Sequence, residues 1–166
     1  MKKFFLTALF MVISLCAFSQ EFELPNYKIE TEEDCNKYND VFLNATNWLM
    51  HNSPKDEEYK RLKIYQFLFE WMEKTKVVMI SLDDKIVTFA KPNIEVYMIF
   101  LCGYSKYALD NNDNINKVAK NIAGVELAIE YYKKYKKVLE KDDNMEKYVK
   151  MQNDGTLKDF VRKNTK

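Results

Sequence analysis

Val96-Tyr97-Met98-Ile99-Phe100-Leu101-Cys102 is an unbroken apolar run, followed at once by Gly103. A helix that is apolar on every side needs cover on every side, so this run reads as the central element of the fold. Pro92 is expected to open it. Gly103 then lies inside a helix, where glycine costs about 1 kcal/mol relative to alanine. The close approach of another backbone is the physical reason to keep a glycine there.

The partner is legible just downstream. Ile115, Val118, Ile122, Val125, Ile129 and Tyr132 recur at intervals of three and four, the pattern of one helix face. Gly124 interrupts that helix as Gly103 interrupts the other. Asn111-Asn112-Asp113-Asn114 is a polar turn, with Asp113 or Asn112 expected to cap the second helix. A short turn makes the two helices antiparallel neighbours. Counted from the turn, the glycines stand at comparable heights, so they are expected to face each other at a tight crossing.

Upstream, Thr31 is an N-cap with Glu32, Glu33 and Asp34 in the first turn. Cys35, Tyr38, Phe42, Ala45 and Leu49 continue as one stripe, ended by Asn52-Ser53-Pro54. Ser53 is expected to cap the next helix, with Pro54 at its first position. Its stripe is read as Leu62, Tyr65, Phe69 and Met72, widened by Ile64, Phe67, Leu68 and Trp71. Thr75 to Ala90 is expected to be an extended segment crossing the helices, with a short helix from Ser81. Two short helices, Asn144 to Met151 and Thr156 to Lys163, are expected after this, joined by an Asp154-Gly155 turn. The fold expected is all-α: a compact bundle of about four main helices with short C-terminal helices. Three glycines and three prolines are too few for a loop-rich chain and fit that architecture.

Residues 1–19 have the three parts of a secretory signal peptide. Lys2 and Lys3 precede the apolar run Phe4 to Phe18, and Ala17 and Ser19 are small enough for a cleavage site before Gln20. Lipid attachment at Cys16 is the rival reading, and the bulky Leu15 before it argues against that. This start resembles export signals of the Bacteroidota, which implies a periplasmic or secreted product. Residues 20–30 read as an extended arm and 31–166 as one helical domain. Cleavage removes two of the 26 basic residues and none of the 25 acids, so the remaining charge is −1 with His51 neutral. That balance gives no electrostatic case for nucleic acid. No long apolar run follows residue 19, so the processed chain is not expected to be integral to a membrane.

Chemistry-bearing residues are sparse. Export permits a Cys35–Cys102 disulfide, and the alternative is two buried thiols acting as small apolar groups. His51, the only histidine, reads as a helix-ending residue. No metal-ligand spacing, nucleophile elbow or phosphate loop is present, and no cofactor is expected. Lys133, Lys134, Lys136, Lys137 and Lys141 suit a helix C-terminus, with a phosphate or membrane-surface site as the functional alternative. Glu95 opens the central helix, and Glu126 lies mid-helix within reach of Lys106. A structural ion pair and a polar group in a ligand cavity both fit them, and a hydrolase would need the two carboxyls to converge. Trp48, Tyr104 and Tyr107 join Glu95, Lys106 and Glu126 as candidate binding residues, with Tyr104 or Tyr107 presented outward.

The run from Ile99 to Leu109, followed by Asn121-Ile122-Ala123-Gly124-Val125-Glu126, resembles uncharacterised small exported helical proteins of the Bacteroidota. The resemblance implies export and a helical fold, and it carries no activity. The function expected is therefore a non-enzymatic, exported binding protein whose partner is another protein or an envelope component. A carrier of an apolar ligand, held in a cavity of the bundle, is the alternative.

Overall fold

The computed structural model describes residues 22–91, 93–112 and 115–166. The signal peptide and Cys16, Pro92 as a helix opener and Asp113 as a cap lie outside these residues. Every regular element described is helical: α1 (Glu32–Lys37), α2 (Asn39–His51), α3 (Glu58–Lys74), α4 (Ile94–Asn111), α5 (Lys117–Tyr135), α6 (Asp143–Asn153) and α7 (Leu157–Asn164).

The α4–α5 pair is the most extensive helix contact, and its centre is the expected glycine crossing. A methyl group built on Gly103 would stand 2.9 Å from the Ala123 carbonyl oxygen and 3.0 Å from Gly124 Cα. One built on Gly124 would stand 2.8 Å from the Phe100 ring and from the Phe100 carbonyl oxygen. Both distances are below carbon contact, so the helix axes can sit this close only where neither residue has a side chain. The rest of α4 is buried from Val96 to Ser105, apart from a half-buried Tyr97. The α5 stripe is buried from Val125 onward, but Ile115 is 92% exposed because it precedes the helix start. The cap is Asn116, whose side chain accepts from Ala119 N at 3.1 Å, in place of Asn112.

Thr31 caps α1 as expected, in a reciprocal box with Asp34. The single helix expected beyond it is two. The Cys35 carbonyl accepts both Tyr38 N, at 2.9 Å, and Trp71 Nε1, at 3.1 Å, and the chain turns at Tyr38 before α2 begins. Tyr38 and Tyr27 then pack edge-on against Phe67, which docks the extended arm on α3. Phe42 stacks on Trp71 with ring centroids 4.1 Å apart.

The start of α3 differs from expectation. Ser53 to Asp56 forms its own turn, and Glu57 adopts a left-handed φ of 49°, so the helix begins at Glu58. Its buried face is Arg61, Ile64, Phe67, Leu68, Trp71 and Met72. Leu62 and Phe69, read as core, are 58% and 47% exposed.

Residues 75–91 cross the bundle without regular structure, and the short helix expected from Ser81 is replaced by turns. Side chains from the helices hold this segment. Tyr104 Oη donates to the Met79 carbonyl at 3.2 Å, and Tyr148 Oη donates to the Ile86 carbonyl at 2.9 Å. Asp83, nearly buried, accepts from Lys117 Nζ, Asn121 Nδ2 and Lys166 N. That cluster ties the segment and the chain end to α5. α6 and α7 form as expected, with Asp142 as the α6 cap and Gly155 taking a φ of 72° in the turn between them.

Gly124→Ala separates two effects of opposite sign. Alanine favours a helix by about 1 kcal/mol, but its methyl overpacks the crossing at a cost of roughly 1–3 kcal/mol. The crossing is expected to win, lowering the melting temperature by about 2–4 °C per kcal/mol lost. A raised melting temperature in a thermal scan would show that the backbones do not touch there.

Candidate functional site

The six sequence-derived binding candidates fall in three places. Lys106, Tyr107 and Glu126 share an open groove of about 530 Å³ on the α4–α5 face, beside Gly103. Its two candidate charges are each paired. Lys106 pairs with Asp110 at 2.7 Å and not with Glu126, which pairs with Lys158 at 3.4 Å. Tyr104 is not presented outward: it is fully buried, and its hydroxyl is spent on the crossing segment. Trp48 and Glu95 belong to a third place, around Arg61. Glu95 and Glu126 therefore line different cavities and do not converge.

Arg61 is the feature that sequence reading missed. It is one of only two arginines in the chain and is 3% exposed. It occupies the buried phase of α3, three residues before Ile64 and seven before Leu68. An arginine in step with an apolar stripe is the signal that was available. Its Nη2 donates to the carbonyls of Asn52, at 3.0 Å, and Ser53, at 2.5 Å. These bonds hold the α2–α3 turn and displace the start of α3 from Pro54 to Glu58. The guanidinium carbon lies 5.3 Å from the centre of the Trp48 ring, a cation–π arrangement.

The other guanidinium nitrogens are unspent. Nε and Nη1 are buried without a hydrogen-bond partner among the described residues, as are the hydroxyls of Tyr65 and Tyr131. No described carboxylate lies within ion-pair distance of Arg61. Burial raises the Tyr65 phenol to about 12, opposed first by the approach of the Arg61 guanidinium to its oxygen and then by the Arg61 charge. Burial likewise raises Tyr131, which feels the charges of Arg61 and Glu95. Both phenols stay protonated as donors. Beside this cluster is a cavity of about 490 Å³ between the starts of α3 and α4. Arg61, Leu62 and Tyr65 line it from α3, and Ile94 and Glu95 from α4.

The remaining chemistry is structural. Cys35 and Cys102 are not bridged: each is a free, buried thiol. Burial pushes Cys102 up to about 12, which leaves no reactive thiolate near neutral pH. His51 ends α2 and is exposed, with Nδ1 2.8 Å from the Asn47 carbonyl. Lys134, from the lysine-rich end of α5, donates to the Met50 carbonyl at 2.8 Å and so caps α2. Among the described residues no group of three or more His, Cys, Asp or Glu side chains is placed to hold a metal, and no helix is long and apolar enough to cross a membrane. No family model matches the chain, and no curated protein or solved structure matches it.

The raised pKa values have a consequence for stability. Cys102, Tyr65 and Tyr131 hold their protons in the folded chain above the ordinary values of 9.0 and 10.0. The unfolded chain gives those protons up first, so stability is complete below about pH 9 and falls as pH rises beyond it. The melting temperature is expected to drop between about pH 9 and pH 12, and Tyr131→Phe to reduce that drop. An equal drop in the variant would mean that Tyr131 is not buried as described.

Proposed function

We propose that the chain is an exported, non-enzymatic binding protein that meets a protein or envelope component through the outer face of α3. The observation carrying this reading is a line of large apolar side chains left in water. Tyr59 is 72% exposed, Leu62 and Phe69 lie on the same side of the helix, and Ile94 at the start of α4 is 53% exposed beside Leu62. Tyr59, Leu62 and Phe69 share one face of α3, with the polar Gln66 between Leu62 and Phe69. Exposed apolar residues grouped in this way mark contact surfaces, whereas scattered ones do not. Export is supported by the basic residues and apolar run of 1–19. The scarcity of paired chemistry supports the non-enzymatic part: the thiols are buried, and the two singled-out acids lie apart.

The filled core favours this reading over an apolar-ligand carrier with its cavity inside the bundle. Met98 to Cys102 are all buried, at most 4% exposed.

A photo-crosslinking residue at Phe69, introduced into the full chain in the cells that make it, tests the surface. It is expected to yield a discrete adduct in the envelope fraction, while the same residue at the exposed Lys150 of α6 yields none. A chain that is retained unprocessed in the cytoplasm, or that gives identical adducts from both positions, would overturn the reading.

A further inference from the structure

We propose that the Arg61 cavity binds a small organic monocarboxylate with an apolar body. Arg61 is a buried cation whose hydrogen-bond acceptors among the described residues are two neutral backbone carbonyls, both on Nη2. A buried charge without a counter-charge is costly, several kcal/mol after relaxation, and is normally paired. Its Nε and Nη1 and the hydroxyl of Tyr65, which lines the cavity with it, are donors without an acceptor in hydrogen-bond geometry among the described residues. A wall of donors around a guanidinium calls for an acceptor-only, negatively charged group, and a planar carboxylate matches the guanidinium best.

The neighbouring residues narrow the ligand further. Glu58 and Glu95 line the same cavity, and their carboxylates oppose a multiply charged anion such as phosphate. Leu62 and Ile94, both more than half exposed, line it as well and offer an apolar seat for the rest of the molecule. At about 490 Å³ the cavity falls in the size range of small-molecule sites. Arg61 and Tyr65 are its recognition residues, and Trp48 beneath the guanidinium is a built-in fluorescent reporter.

Titration of the processed chain with hexanoate, followed by calorimetry and tryptophan fluorescence, tests the site. Hexanol and inorganic phosphate serve as comparison probes. Saturable binding of hexanoate is expected, with hexanol and phosphate each weaker by roughly tenfold or more, the value of one charge-assisted interaction. Tyr65→Phe is expected to weaken hexanoate several-fold. Leu62→Glu, on an exposed position that leaves the circular-dichroism spectrum unchanged, is expected to weaken it at least as much. No saturation by about 10 mM, tenfold above the 1 mM that corresponds to about −4 kcal/mol, would overturn the proposal. So would equal binding of hexanol, which would reveal an apolar patch, or equal binding of phosphate, which would reveal an unselective anion site. Missing crosslinks at Phe69 leave this site standing, and an empty cavity leaves the Phe69 surface standing.

Discussion

Two helices approach here more closely than any side chain allows, and the rest of the structure is arranged around that contact. Gly103 and Gly124 give up helix propensity, about 1 kcal/mol each, so that α4 and α5 can pack backbone to backbone. The approach places the Phe100 ring directly over Gly124. It also turns the flanks of α4, from Met98 to Ser105, toward the helices and crossing segment that cover them. A central helix with no water-facing side is stable only if every neighbour arrives, and that couples distant parts of the chain into one cooperative core.

The cover on one side is irregular. Residues 75–91 have no helix or sheet ladder to satisfy their backbone, and buried backbone groups must be paired. Tyrosine hydroxyls from α4 and α6 and the Asp83 carboxylate supply part of that pairing. Tyr104 and Tyr148 are the tyrosines that do this. An apolar ring fills the core while its hydroxyl reaches a carbonyl that no helix can serve. Tyr104 looked like a surface residue in the sequence for the same reason that it is useful inside.

Local signals were read well and tertiary ones were not. The Thr31 cap with Asp34, the Gly155 turn and the matched heights of Gly103 and Gly124 each depend on a few neighbouring residues, and each is present. The phase of α3 was misread because apolar residues surround most of that helix, so periodicity alone could not separate Leu62 and Phe69 from Ile64 and Leu68. Arg61 carries a charge, so an apolar periodicity does not include it. Its bonds to Asn52 and Ser53, nine and eight residues back, also moved the helix start in a way that Ser53-Pro54 could not signal. Trp48 and Glu95 both lie near Arg61, and no local pattern in the sequence showed the arginine that brings them to one place.

The account stands or falls on the α4–α5 crossing as the last part of the fold to open. Native-state hydrogen exchange measures this directly, residue by residue. The amides of Phe100 to Tyr104 and of Gly124 to Ala128 are predicted to exchange only through global unfolding, with a free energy equal to that from denaturant melts. Exchange of these amides ahead of those of Ile64 to Trp71 in α3 would contradict it, because the crossing would then open while its cover stayed folded.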